Sequence, residues 1–372
     1  MVDSTISSGN VVTNFMAEFA REYVRESRFS KYTGKTANSI IHIKEGLQTI
    51  SLPLISKLSG SGVSGNSTLS GNEENLNNYS KTLTPTHYRH AVTISDEENE
   101  KSEFDLYNEA REFLMLWAKE KQRDDIIQAL GAIYDGTTYA NYGSATAGAM
   151  DTWLTNNSDR VLYGASKSNQ SAGNHTTSLS NVDTTNDRLT PQMISLAKRM
   201  AKNCSPLIRP IKTTEDKDFF VMFVDSYGMR DLRENSTMAQ ANREAWTRGE
   251  SNPLFTGGDL IWDNVVIREI EEISTMIDGS TGSNGVWGGS STADSLATGG
   301  ANSSRVGVGF LCGAQAIGYG LGKMPRIVRK KEDDYEFNKG VGITLKHDID
   351  KMYFNNKQHG MVTVFYSAPT DA

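Results

Sequence analysis

The sequence predicts an α+β fold, and three features of its patterning carry that reading. Strand and helix patterns interleave along the 372 residues without a regular βαβ repeat. Two alternating stretches flank a Gly/Ser/Asn-rich tip between residues 40 and 95, the pattern of an extended β-hairpin. A single long helical pattern follows, at 97–134. An isolated hairpin is marginal in water, so this one is expected to lie on something, its own domain or another chain.

In chain order, Phe15, Phe19 and Tyr23 recur four apart and predict a short amphipathic helix over 14–29, in an otherwise polar arm. SIIHIKEGLQTISLPLISKL and TLTPTHYRHAVTIS supply the hairpin strands. The long helix has capping-box spacing at Ser95/Glu98 or Ser102/Asp105, apolar residues from Phe104 to Ile133, and Gly131 or Gly136 as its stop. Residues 135–187 are weakly patterned. Thr190-Pro191 opens a helix whose face carries Met193, Leu196, Ala197 and Met200. A strand at Phe219–Val224, a polar helix at 226–249 and a strand at Leu260–Ile270 come next. After a low-complexity stretch at 278–304, Val306–Gly322 reads as a strand running into a closely packed helix, and 325–367 returns to strands.

Composition narrows the function. Lys plus Arg number 38 against 45 Asp plus Glu, a net charge of −7, which argues against a chain built chiefly to grip nucleic acid. Two cysteines, Cys204 and Cys312, make no disulfide framework and are expected as buried thiols. No signal-peptide pattern opens the chain, and the longest uncharged stretch is too short and too glycine-rich for a membrane span.

The near-motifs for chemistry lack the spacing that the chemistry needs. GYGLGKM at 318–324 places Ile317 where a phosphate loop needs its first Gly, and Met324 where it needs Ser or Thr. Gly307 and Gly309 are followed by Cys312 instead of the third Gly of a dinucleotide fingerprint. His87 and His90 would point to opposite faces of a strand, and no Cys pair has metal spacing. No serine sits in a nucleophile elbow. No catalytic residue, cofactor or metal is therefore assigned.

The order of segments resembles a known family. The tip SGVSGNSTLSGNEE, the helix FDLYNEAREFLMLWAKEK, then FFVMFVDSYGMRDLR, NPLFTGGDLIWDNVVIRE and FLCGAQAIGYGLGK are similar to the major capsid proteins of tailed bacteriophages, in the branch of the N-four-like podovirus coat. The resemblance covers roughly residues 36–366. It implies a Hong Kong ninety-seven-like fold with residues 1–35 as an N-terminal arm and 44–95 as the extended loop over an adjacent subunit. A peripheral domain would take 36–43 and 96–187, with 97–134 as its spine helix. An axial domain would take 188–324, and 325–372 would return to the peripheral domain.

The implied function is structural. Hexamers and pentamers of the chain would close an icosahedral virion shell around double-stranded DNA held by weak contacts. A separate scaffold protein, a portal and a decoration protein would be further partners, with assembly in the host bacterial cytoplasm and no membrane. Glu73 and Glu74 in the tip, Arg230 and Arg233, and Phe15 and Phe19 in the arm are the expected intersubunit contacts, with Glu73/Glu74 pairing the two arginines across an interface. The alternative is a loop-rich hydrolase or glycan-binding protein, which the Gly/Ser/Asn/Thr-rich loops and five tryptophans would suit.

Overall fold

The computed structural model describes residues 27–58, 60–97, 106–212, 218–246 (side chains to 241), 260–278, 287, 294–330 and 337–370. The expected arm helix with Phe15, Phe19 and Tyr23, the capping boxes at 95–105 and the NPLFTGGD turn lie wholly or partly outside the described residues. The described part divides into two compact units. The larger holds Arg28–Thr86, Gln122–Lys323 and His347–Ala372, and the smaller holds His87–Lys121 and Met324–Lys346.

The larger unit is organised by a sheet whose strands run in the order Leu260–Trp262, Val265–Glu269, Asp218–Val224, Val306–Cys312, Met361–Ser367 and Val161–Tyr163. Pairing is mixed: Phe220 sits parallel to Val265, Met222 antiparallel to Leu311, and Val364 parallel to Leu162. Successive side chains alternate faces, so one strand feeds two cores. Val221, Phe223, Val308, Phe310 and Phe365 face Met150, Trp153 and Leu154 of the helix Ala147–Asn156. Phe220, Met222, Val364 and Tyr366 face Met193, Ile194, Ala197 and Met200 of the helix Pro191–Asn203. Both faces are covered, which is why Val306–Cys312 and Met361–Ser367 are buried at every position. The Pro191–Asn203 helix starts where the sequence places it, with the Thr190 hydroxyl accepting from Met193 N.

Val306–Gly322 departs from the strand-then-helix expectation: it forms two strands, Val306–Cys312 and Ile317–Arg329. The glycines there make room for side chains, not for a helix. A Cβ on Gly307 would lie 2.4 Å from the Tyr366 ring, and one on Gly309 would lie 2.7 Å from Met222. Leu260–Ile270 likewise is not one strand. It folds back on itself through Asp263 and Asn264, both at positive φ (47° and 59°), a conformation Asp and Asn tolerate better than most residues. The polar helix expected at 226–249 is two helices, Ser226–Glu234 and Ser236–Trp246.

The hairpin is present, with a different second strand. Ile50–Ile55 pairs antiparallel with Asn78–Leu83, from Ile50 opposite Leu83 to Ile55 opposite Asn78. Its root is plugged by Ile50, Leu52 and Leu83 against Met352 and Phe354. Two carboxylates pin the same end: Asp350 pairs Lys81 at 2.6 Å, and Asp348 accepts from Thr84 N at 2.6 Å. Beyond Pro85, the strand Thr86–Ser95 leaves the hairpin and serves the smaller unit.

In the smaller unit, Thr86–Ser95 borders the sheet formed with residues of Asn338–Lys351 and Ile317–Arg329. Ile94, Ile327, Val341, Ile343 and Leu345 pack on Leu106, Ala110, Leu114, Trp117 and Ala118 of the long helix. That helix is described over Leu106–Gly131 and stops at Gly131, three residues before the expected end, because Ile133–Tyr134 pairs with Tyr139–Ala140.

Candidate assembly surfaces

Buried polar clusters are where catalysis would be sought in a fold of this size, and those around His175 and Arg305 are paired within the core. His175 opens the helix His175–Ser180 and is fully buried between two tyrosines. Tyr142 Oη lies 2.7 Å from its Nε2 and 3.1 Å from the Asp294 carbonyl, and Tyr163 Oη lies 2.6 Å from its Nδ1. The Asp294 carbonyl can only accept, so Tyr142 donates to it and accepts from Nε2–H. Tyr163 then donates to Nδ1. The ring is neutral, and burial pushes its pKa down to about 4. Every polar atom of the ring is matched, and Trp153 and Phe365 close over it edge-on.

A second cluster ties the sheet to its flanking helices. Arg305, buried, gives Nη1 to Asp225 at 3.1 Å and Nε to Asp278 at 2.5 Å, over the ring of Tyr227. Asp225 also accepts from Tyr366 O–H and caps Ser226–Glu234 through Gly228 N at 2.8 Å. Lys351 is buried as well: its ammonium donates to the Ala132 carbonyl at 2.7 Å, and burial lowers its pKa to about 7. Cys204 and Cys312 are buried thiols. Among the described residues, no three His, Cys, Asp or Glu converge to hold a metal ion, and no helix is long and apolar enough to cross a membrane.

The outer surface is more informative. Past Ile55 the hairpin carries Leu58, Leu69 and Leu76, exposed at 60%, 65% and 61%. Three large apolar side chains thus stand exposed within one loop. Glu73 and Glu74 sit in the same tip, where their carboxylates accept from Gly71 N and Gly60 N, each at 2.7 Å. In the sequence the acids stand out by charge and the leucines do not, although the isolation of these leucines among Gly, Ser and Asn signals a segment with no local core.

Arg230 and Arg233 share the helix Ser226–Glu234. Arg230 lies 3.8 Å from Asp231, and Arg233 lies 4.0 Å from Glu269. Burial raises the pKa of both carboxyls, opposed at Asp231 by Arg188 and Arg230 and at Glu269 chiefly by Arg233. Both arginines therefore have ion pairs within the chain. Phe15 and Phe19 lie outside the described residues.

The model of a family described as phage capsid protein matches residues 4–370. The major capsid protein of Pseudomonas phage KPP25 is 24% identical over 373 residues, covering 96% of this chain and 95% of the relative. The capsid asymmetric unit of cyanophage Pam1 matches over 100% of both chains, with 33% identity and a TM-score of 0.87. The capsid of Ralstonia phage GP4 shares the fold over 100% of both chains, with 19% identity and a TM-score of 0.70. Nothing in these matches supports a hydrolase or a glycan-binding protein. With the family model spanning almost the full length, the chain belongs to the phage capsid protein family.

Proposed function

We propose that this chain is a major capsid protein whose copies, as hexamers and pentamers, close the icosahedral shell of a tailed bacteriophage around double-stranded DNA. The observation that carries the proposal is the hairpin: anchored at its root by Leu83, it carries its leucines into solvent, a contact surface that a lone subunit leaves uncovered. In this reading the chain is structural and catalyses no reaction. Within residues 44–95 the hairpin Ile50–Leu83 forms the extended loop over a neighbour, and 1–35 form the arm. The peripheral domain has the long helix as its spine and takes its sheet from 87–95 and 324–346, and the axial domain at the capsomer centre is built on strands within 188–324. Glu73, Glu74, Arg230, Arg233, Phe15 and Phe19 lie at intersubunit contacts. A separate scaffold protein, a portal and a decoration protein complete the particle, which is assembled in the host bacterial cytoplasm.

The test is co-expression of the chain with its scaffold, followed by size-exclusion chromatography and negative-stain microscopy. Closed shells or capsomers are expected. Recovery solely as a monodisperse monomer would overturn the proposal.

A further inference from the structure

A small cavity of about 10 Å³ lies at the end of the long helix, within the larger unit. Leu130 and Gly131 of the helix border it, as do Val308, Phe310 and Phe365 of the sheet, and every residue lining it is buried. Gly131 ends the helix and also leaves room for Trp287: a Cβ there would come within 2.6 Å of the indole Cζ2. The Trp287 backbone is held on both sides, N–H donating to the Met276 carbonyl at 2.7 Å and the carbonyl accepting from Leu296 N at 3.4 Å.

The polar groups around this space do not match one another. Trp153 and Trp287 both line it, each 1% exposed, and among the described residues neither indole N–H has an acceptor. Lys351 Nζ donates to the Ala132 carbonyl at 2.7 Å and lies 3.5 Å from Gln358 Oε1. Thr363 Oγ1 accepts from Gln358 Nε2 at 3.3 Å and keeps a second lone pair. The Tyr142 hydroxyl is already committed to His175 and the Asp294 carbonyl. No carboxylate lines the cavity to hold Lys351 in its charged form, and burial lowers its pKa to about 7. Above that pH the amine has a lone pair to offer.

Two buried donors in one cavity call for an occupant that accepts two hydrogen bonds. A dry cavity would leave both indoles with the full cost of desolvation, and cavities that stay dry are apolar. Size narrows the choice further. The volume is at the threshold of the ~10–15 Å³ that admits one water, which leaves no room for an organic ligand. Water also fits the bond count, with two lone pairs for the indoles and two hydrogens for the remaining acceptors.

We propose that this cavity binds one structural water, which accepts from the N–H groups of Trp153 and Trp287 and donates to Lys351 Nζ and Thr363 Oγ1. Among the described residues these four groups make no hydrogen bond to one another, so the water is what joins them. Through it the helix Ala147–Asn156, the Trp287 segment and the strand Met361–Ser367 share one polar contact beneath the end of the long helix. The inference is independent of whether the chain builds a shell.

The first test is a density map of the subunit, in crystals or in a particle, that resolves ordered waters. A single peak within hydrogen-bond distance of both indole nitrogens, Lys351 Nζ and Thr363 Oγ1 is expected. An empty cavity, or a peak that reaches one indole alone, would overturn the proposal. Crystals grown in bromide separate water from a halide, since an anomalous peak in the cavity would assign an anion there and overturn the water. The second test is ultraviolet resonance Raman spectroscopy of the full chain in solution. The indole band that reports N–H hydrogen bonding is isolated for each tryptophan by subtracting the spectrum of Trp153→Phe or Trp287→Phe from that of the wild type. Both bands should lie at the hydrogen-bonded position, and a free-indole position for either would overturn the proposal. If either variant fails to fold, the wild-type map still decides.

Discussion

Leu83→Ala isolates what holds the hairpin. Leu83 is fully buried and, with Ile50, Leu52, Met352 and Phe354, forms a cluster separate from the two large cores. Removing a buried leucine side chain costs the transfer of its methyl groups plus the cavity left behind, about 2–5 kcal/mol. The ladder from Ile50/Leu83 to Ile55/Asn78 rests on this one small cluster, with Leu54 and Tyr79 partly buried against it, so the loss should fall on local opening of the hairpin and much less on global unfolding. At the lower bound of about 2 kcal/mol, native-state hydrogen exchange of amides in 50–55 and 78–83 should quicken by roughly thirtyfold, since each 1.4 kcal/mol is a factor of ten. Amides in the buried strand Met361–Ser367 should be nearly unaffected. The assay is exchange mass spectrometry on unassembled subunits, with limited proteolysis of 56–77 as a second readout. Unchanged exchange in the hairpin would refute the reasoning. It would mean that the Lys81–Asp350 pair and the Thr84–Asp348 hydrogen bond hold the root without the plug.

Three further outcomes follow from the cores. His175 has a folded pKa of about 4 against 6.5 in the unfolded chain, so the unfolded state takes up the proton first. Stability is therefore full above pH 6.5 and falls as pH drops toward 4, by about 3 kcal/mol for this group. His175→Gln should flatten that part of the urea-denaturation profile. His359, shifted the same way to about 4, should keep a share of the slope, and an unchanged slope in the variant would exclude the assignment. Arg305→Met leaves Asp225 buried without its cation and should cost about 3–5 kcal/mol, measurable as a lowered urea midpoint. Gly307→Ala drives a Cβ to 2.4 Å from the Tyr366 ring and should destabilise by about 1–3 kcal/mol, with Tyr366→Leu in the same chain relieving part of the loss.

Local chemistry was enough to place many elements. The Thr190-Pro191 start, the apolar run of Asp218–Val224, the long helix and the presence of a hairpin all follow from propensity, capping and period, which are properties of neighbours in the chain. The failures of the phosphate-loop and dinucleotide motifs were legible too, because those motifs are fixed spacings. Of the candidate surface, the acids in the tip stand out in the sequence by charge, whereas the exposure of the leucines needed knowledge of where the hairpin leaves its core.

The rest depended on residues far apart in sequence. Val306–Gly322 is strand because Gly307 must admit Tyr366 and Gly309 must admit Met222, and no local pattern names those partners. Thr86–Ser95 alternates as well as any hairpin strand, yet it pairs elsewhere, since alternation specifies a face and leaves the neighbour open. His175 is a neutral core residue only because Tyr142 and Tyr163 arrive on either side of it. Periodicity in the chain sets which side chains are buried together along one element. Which elements meet, and so which acids find arginines and which leucines are left exposed, is settled by packing in three dimensions.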